Sequence, residues 1–319
     1  MSAYIEGDTF AEVYEQLLAM CLNDPDATCR PRGMEIRELI SPTIRVLDPV
    51  ARFYTSSPRS TPMRYAAGEF LWYFGLRDDA EFITKYSAFW NKLKNETSAG
   101  PLNEGKLNSS YGTLTMGDAW KDASWDNRWV TQWEWALRSI QRDPDSRQAI
   151  IHVNRPSHQV QWIKDFPCTI LFQFLVRNGA VNMVVTMRSN DLIKGLTFDF
   201  PMFSLFLEQF TADLAAMTGN RYGRGHLTLT SGSSHIYGAD FDLVEGMLAA
   251  GISTMEPAEP LVEPPHVLSI ENDGSIRRVA SSSFKDLMDH AEGNHVLRPG
   301  YFGCGVFEAF RTALDRGKE

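Results

Sequence analysis

Cys168 stands in Asp165-Phe166-Pro167-Cys168-Thr169-Ile170-Leu171-Phe172-Gln173-Phe174, at the entrance to an apolar run, where a thiol could attack an electrophilic carbon. Further along come Met187-Arg188-Ser189-Asn190-Asp191 and Gly195-Leu196-Thr197-Phe198-Asp199. A guanidinium beside a hydroxyl, Arg188-Ser189, suits phosphate, although such an arginine also serves in surface ion pairs. Cysteine at the mouth of a strand is by type alone an inert core residue. Pro167 before it, and Arg188 and Arg147 on neighbouring predicted strands to favour the thiolate, point instead to a nucleophile. Asp199 lies between Phe198 and Phe200, where an unpartnered carboxylate is costly. Either the protein or the polar edge of a pyrimidine must satisfy it. Glu69, in Gly68-Glu69-Phe70-Leu71-Trp72, poses the same question on an apolar helix and could relay protons through water. His235 and Tyr237 share one strand face at period two and could hold sugar hydroxyls, or simply pair in a core. The set reads as a nucleotide-modifying enzyme with a sulfur nucleophile, its base chosen by Asp199.

Composition narrows the class. The 319 residues, 43% hydrophobic and 22% charged, suffice for a large core and exclude wholesale disorder. A net charge of -9 argues against a nucleic-acid polymer as partner, whereas one mononucleotide needs only a few local cations. Cys21, Cys29, Cys168 and Cys304 show no CxxC spacing and no pairing with the seven histidines, so no metal site is expected. The first residues carry neither a basic nor an apolar leader segment, and no run is long enough to span a membrane. A cytoplasmic protein with reduced thiols is expected, with the sequons at Asn95 and Asn108 arising by chance.

These side chains need elements to hold them. Helical spacing runs from Asp8 to Leu22, with Asp8 or Thr9 as cap. Residues 33–48 alternate like strands, and Thr61–Tyr73 and Ala80–Leu93 read as buried helices. Asn95–Ser110 reads as a loop over a site, and Asn127–Arg142 as a helix with three tryptophans. Strands follow at Arg147–Val153, Thr169–Val176 and Val181–Met187, the last two joined by an Asn178-Gly179 hairpin. Pro201–Met217 reads as a helix begun by its proline. His226–Ser231 reads as a strand and Asp240–Ala250 as a helix, while 251–275 reads as a surface excursion. The expectation is one α+β domain over 1–319 with a mostly antiparallel or mixed sheet packed by helices.

From about Arg32 to Tyr237 the chain resembles the thymidylate synthase family, in its pyrimidine hydroxymethylase branch. Glu69-Phe70-Leu71-Trp72 is similar to the family's catalytic-glutamate helix, Ser110-Tyr111-Gly112 to its tyrosine turn, and Pro167-Cys168 to its nucleophile site. Asp145-Ser146-Arg147 resembles the segment that reaches phosphate in a partner subunit. Arg188-Ser189-Asn190-Asp191 with Gly195 resembles the phosphate and folate turn, and His235-Ile236-Tyr237 the ribose pair. The resemblance implies a homodimer in which Cys168 adds to C6 of a pyrimidine monophosphate and C5 takes a one-carbon unit from 5,10-methylenetetrahydrofolate. It implies Glu69 and Tyr111 for water and proton transfer, and Arg32, Arg188, Ser189 and a partner's Arg147 for phosphate. It implies Trp90, Asp191, Gly195 and Phe198 for folate.

Departures from the family matter too. Asp199 stands where uracil enzymes carry asparagine. An amide donates to O4 and accepts from N3-H, whereas a carboxyl accepts from the cytosine N4 amine and, when protonated, donates to N3. Cytidylate, CMP or dCMP, is therefore the expected substrate. Thr169 replaces a histidine, and Gln148 replaces a second arginine. Leu93, in place of a second tryptophan, could admit water to a methylene intermediate, and 307–315 reads as an amphipathic helix rather than a short closing tail. Both favour a hydroxymethyl product. C5 methylation, a non-catalytic nucleotide binder and a thiol hydrolase are the rival readings.

Overall fold

A computed structural model of the chain describes residues 3–94, 105–122, 128–159, 163–252, 261, 263–271, 276–302 and 305–316. The N-terminal part holds β1 (Tyr4–Gly7), α1 (Phe10–Asn23), β2 (Ala27–Cys29), β3 (Ile36–Ile40) and β4 (Thr43–Val46). Next come α2 (Met63–Phe74), α3 (Ala80–Thr84), α4 (Phe89–Lys94), β5 (Ala119–Asp122), β6 (Arg128–Thr131), α5 (Gln132–Arg142) and β7 (Ile150–His152). The central stretch is β8 (Thr169–Arg177), β9 (Ala180–Met187), β10 (Asn190–Asp191) and α6 (Leu196–Thr218). It continues as β11 (Gly223–Ser231), β12 (Ser233–Tyr237), α7 (Phe241–Ala250), β13 (His266–Ile270), β14 (Ile276–Ala280), α8 (Ser282–Glu292) and α9 (Val306–Asp315).

Local chemistry sets several of these boundaries. Thr9 caps α1: its hydroxyl accepts from Glu12 N at 3.3 Å while Glu12 Oε2 accepts from Thr9 N at 3.2 Å. Asn178 (φ 51°) and Gly179 (φ 74°) turn β8 into β9 through two left-handed residues, the backbone that matches strand twist in a two-residue hairpin.

Two sheets carry the site. A mixed six-stranded sheet runs β1-β4-β11-β9-β8-β7, and a four-stranded one runs β10-β12-β3-β2. The chain passes from one to the other at three places side by side: Ser41-Pro42 between β3 and β4, Arg188-Ser189 between β9 and β10, and Gly232 between β11 and β12. Gly232 N donates to Met187 O at 2.9 Å, Ser41 N to Gly232 O at 3.1 Å and Ser231 N to Pro42 O at 3.2 Å. A Cβ on Gly232 would lie 2.9 Å from Arg188 O, so the close approach at this fork needs glycine. Thr169, the first residue of β8, pairs with Met187, which puts Cys168 beside the fork.

The core lies between the large sheet and the helices. Phe172 and Phe174 face α6, where Phe174 stacks on Phe210 with ring centroids 3.7 Å apart. In α2 every residue from Ala66 to Phe74 is buried, Glu69 included. Gly68 makes room for a ring: a Cβ there would come within 2.3 Å of Tyr86 Cγ. The chain breaks between α3 and α4 in the stretch that seats Tyr86, so the single helix expected over Ala80–Leu93 is two, and Phe89 is exposed. On the other side of α2, α9 docks through Phe307 and Phe310 against Phe70, at 5.6 and 5.1 Å. The amphipathic helix expected over 307–315 is thus a buttress for α2.

Other expectations need revising. Residues 128–131 pair with β5 as a strand, and the helix begins at Gln132, where the Thr131 hydroxyl accepts from Glu134 N at 3.1 Å. Helix α6 starts at Leu196, not Pro201, because the Gly195 carbonyl accepts from Phe198 N and Asp199 N and opens the first turn before the proline. Within 251–275, residues 266–270 form a strand rather than a surface excursion: His266 is buried and its N donates to Gln209 Oε1 at 3.0 Å. The rest of that excursion (253–260, 262 and 272–275), most of the 95–110 loop, Asn95 and Cys304 lie outside the described residues.

Gly68→Ala is expected to lower the stability of the fold by about 1–3 kcal/mol through the clash with Tyr86. Urea unfolding followed by circular dichroism reads this; an unchanged midpoint would show that Tyr86 does not need the space.

Candidate active site

Cys168 sits just before β8, half-buried, and its carbonyl accepts from Arg188 N at 2.8 Å. Arg188 follows β9, stacks over the Phe166 ring at 4.9 Å, and donates to Phe166 O at 2.7 Å and Pro167 O at 3.2 Å. Its Nη2 lies 3.5 Å from Cys168 Sγ. The arginine therefore shapes the loop that carries Cys168 as well as facing the sulfur with positive charge. The thiol is nonetheless pushed up, because burial outweighs Arg188 and the carboxylates Asp199, Asp165 and Asp191 add to the rise. The expected pair of activating arginines reduces to one. Arg147 lies exposed in the turn before β7, with its carbonyl accepting from Gln173 Nε2 at 2.9 Å, outside this cluster.

Asp165 ties the opposite rim to the loop. Buried, it accepts from Ser109 N at 3.2 Å and from the Ser109 hydroxyl, while Asn108 Nδ2 donates to its carbonyl at 3.1 Å. This holds Tyr111 near the sulfur: Thr169 N donates to the Tyr111 hydroxyl at 3.4 Å. Tyr111 stacks on Tyr73 at 5.3 Å, and burial, with Asp199 and Cys168 adding to it, pushes its hydroxyl well above the usual phenol range.

Glu69 is buried in the middle of α2. Tyr65, one turn before it, donates to Oε1 at 3.0 Å, and Tyr73, one turn after, donates at 3.3 Å. Oε2 is buried with no hydrogen-bond partner among the described residues. Burial, with Asp199 second, raises this carboxyl from its ordinary 4.5 to about 8. Asp199, on the first turn of α6, is half-buried, and burial together with Asp191 raises it from 3.8 to about 7. Two carboxyls on different helices thus face one another across a cleft that also holds Tyr111 and Cys168. Carboxyls raised this far can hold a proton near neutral pH, which suits acid and base work.

The α6 entry turn completes this wall. Asp191 Oδ1 accepts from Ile193 N at 2.9 Å and Lys194 N at 2.8 Å, so one carboxylate oxygen is spent on the turn. A Cβ on Gly195 would lie 2.9 Å from Asp191 O and 3.4 Å from Asp199 Oδ2, so glycine lets that turn close. Phe198 packs edge-on to Tyr65 at 4.5 Å. Trp90, buried on α4, donates to the Tyr65 hydroxyl at 3.1 Å.

On β12, His235 is buried and meets Tyr237 edge-on at 5.1 Å; its Nδ1 has no partner among the described residues, and burial lowers its pKa. Asp191 pairs with His235 in parallel register, so the sugar-type pair adjoins the α6 turn. Ser189 lies half-buried at the fork. Arg32 is exposed on a short turn with left-handed φ 54°, away from these contacts. The structure thus gathers Cys168, Glu69, Tyr111, Arg188, Asp191, Gly195, Phe198, Asp199 and Trp90, with His235 and Tyr237 adjoining; Arg147 and Arg32 stand apart.

Sequence reasoning missed Tyr65, Tyr73, Asp165 and Asn190. The two tyrosines were findable, being four residues either side of Glu69 on one helix face. The Asn190 amide is buried with neither nitrogen nor oxygen partnered among the described residues, as is the Thr169 hydroxyl. Glu69 Oε2 and His235 Nδ1, on the elements that carry the site, are also unpartnered among the described residues. Among the described residues no cluster of His, Cys, Asp and Glu that could hold a metal ion occurs, and no helix is long and apolar enough to cross a membrane.

The thymidylate synthase family model matches residues 12–271. The chain belongs to the thymidylate synthase family. It is 35% identical over 148 residues to the deoxycytidylate 5-hydroxymethyltransferase of Enterobacteria phage T4, covering 45% of this chain and 56% of that protein. The phage T2 deoxycytidylate 5-hydroxymethyltransferase matches to the same extent. It is 28% identical over 242 residues to the deoxyuridylate hydroxymethyltransferase of Bacillus phage SP01, covering 74% of this chain and 59% of that protein. The chain thus spans a little over half the length of these relatives.

The raised Glu69 carboxyl makes a prediction about stability. A carboxyl that ionises less readily folded than unfolded favours the fold fully below pH about 4.5, and this is lost as pH rises through about 8. Glu69→Gln, which cannot ionise, should therefore gain stability over the native chain as pH rises from about 5 to 8.5, by on the order of a few kcal/mol at most. Urea midpoints at the two pH values measure it; a constant difference would place the native Glu69 carboxyl in the ordinary range.

Proposed function

We propose that the protein transfers a one-carbon unit from 5,10-methylenetetrahydrofolate to C5 of a cytosine nucleotide, CMP or dCMP, and that water completes the product as 5-hydroxymethylcytidylate. What carries the reading is Asp199: a carboxyl raised to about 7, on the same cleft as Cys168 and Glu69. In its protonated form such a group accepts from the N4 amine through one oxygen and donates to N3 through the other, the pattern a cytosine edge requires. The names of the phage T4 and T2 relatives support cytosine, and those of all three relatives support hydroxymethyl transfer.

In this reading Arg188 stabilises the Cys168 thiolate, and addition of that sulfur to C6 of the ring turns C5 into the nucleophile. Methylenetetrahydrofolate would supply the carbon that C5 takes and, as the C5 proton is lost, would leave as tetrahydrofolate, so that an exocyclic methylene on C5 remains for water to attack. Glu69 Oε2 and Tyr111 hold and move protons, first accepting from C5 and then delivering water to the exocyclic carbon. Cys168 leaves as C5–C6 unsaturation returns. Arg188 and Ser189 grip phosphate, and His235 and Tyr237 hold the sugar. Trp90, Phe198, Gly195 and Asp191 form the wall that would take a pterin, a reading supported by Trp90 and Phe198 both meeting the Tyr65 side chain.

The reading includes one catalytic domain over 1–319 and a homodimer with Arg147 reaching phosphate across the interface. A single buried core running from Ile5 to Leu314 supports the first. Half-buried Leu171, Leu175 and Val184 on the sheet face opposite α6, with exposed Arg147 before its edge strand, support the second. A uracil nucleotide is the second reading, favoured by the longer match to the phage SP01 deoxyuridylate relative.

Tritium release from 5-labelled CMP, dCMP, UMP and dUMP, with methylenetetrahydrofolate, is expected from the cytosine nucleotides, giving a product heavier by a hydroxymethyl group. Asp199→Asn should move preference toward uracil by about 10-fold or more, the loss of one bidentate base contact. Release from uracil nucleotides alone would sink the cytosine assignment. Co-expressed Arg147→Ala and Cys168→Ala chains should recover activity that neither has alone, since one mixed site holds both native residues; no recovery would place Arg147 in its own subunit's chemistry.

A further inference from the structure

Among the groups around Glu69, Tyr65 is the one that no motif singles out. Its hydroxyl lies between Trp90 Nε1, at 3.1 Å, and Glu69 Oε1, at 3.0 Å. An indole N–H can only donate, so Tyr65 must accept from Trp90, and its single proton is left for Glu69. Tyr73 adds a second, longer bond to the same oxygen at 3.3 Å. Both bonds fall on Oε1, whereas Oε2 is buried and unpartnered among the described residues. When Glu69 is neutral, its proton therefore resides on Oε2. The Tyr65 ring is itself fixed edge-on against Phe198, the neighbour of Asp199, at 4.5 Å.

We propose that Tyr65 is a positioning residue that, with Tyr73, pins Glu69 Oε1 and so makes Oε2 the oxygen that carries the proton. Through Trp90 it links that choice to the α4 wall of the cleft. The inference deepens the proposed function and rests on Glu69 as the group that handles protons. The charged and titratable groups facing Glu69 are Tyr65 and Tyr73 from α2 and Asp199 from α6. Tyr111 stands behind Tyr73. Removing a hydroxyl that donates to the carboxylate favours the protonated form, so Glu69 must titrate at higher pH without Tyr65.

Two readouts test this on the full chain. The first needs no substrate: an infrared pH titration of the protonated-carboxyl band that Glu69→Gln abolishes. Tyr65→Phe should raise its midpoint by about half to one pH unit, and Tyr73→Phe by less, as expected of a longer bond. Trp90→Phe frees the Tyr65 hydroxyl to rotate and should shift the midpoint the same way by a smaller amount, which keeps the test if Tyr65→Phe does not fold. The second is turnover: kcat should fall about 10-fold with KM for nucleotide little changed, and the limb of the pH profile that reports Glu69 should move upward. Uniform loss of rate with an unmoved profile and midpoint would reduce Tyr65 to packing and overturn the proposal. If the native chain releases no tritium from any nucleotide, the enzymatic reading fails by itself, and the infrared midpoint still decides on Tyr65.

Discussion

A carboxyl withdrawn from water resists ionisation, and two such groups in one cleft resist it further. Glu69 and Asp199 are raised to about 8 and about 7, burial being the main cause in each. Much of the surrounding architecture answers that cost. Tyrosine hydroxyls on the neighbouring turns of α2 bond the one oxygen of Glu69 that the cleft does not use. The early start of α6 sets Asp199 on its first turn, its N–H donating to the Gly195 carbonyl at 2.9 Å. Asp191 adds to the rise, and its own carboxylate is held by the turn it caps.

The thiol experiences the same field from the other side. Arg188 offsets burial and three carboxylates only in part, so Cys168 is not a free-standing thiolate. Arg188 also holds the carbonyls of Phe166 and Pro167, so charge and loop geometry depend on one side chain.

What the sequence disclosed followed the range of the interactions. The Asn178-Gly179 hairpin and the Thr9 cap are written in adjacent residues, and both appear as read. The start of α5 was misplaced because Arg128–Thr131 is too short a run to distinguish strand from helix by periodicity, and its β5 partner decides. Pro201 looked like a helix start, yet the Gly195 turn opens the helix first. Strand β13 was hidden because its support, a backbone bond to Gln209, is distant in sequence. Of the site, the residues with unusual chemistry were legible one by one, and the cluster they form follows the fork between the sheets. Tyr65 and Tyr73 escaped notice because a tyrosine in an apolar helix looks like packing until the atom its hydroxyl meets is known.

The fork at Gly232 has a mechanical consequence. The strand that ends beside the sulfur and the strand bearing His235 are laced together within a few residues of the crossing, through Gly232 N to Met187 O and Ser41 N to Gly232 O. The two ends of a bound nucleotide would therefore rest on one stiff frame. The α3–α4 corner is anchored apart from that frame, by Tyr86 seated in the notch of Gly68 and by Trp90 donating to Tyr65, so the wall opposite the fork is built from α2 alone outward.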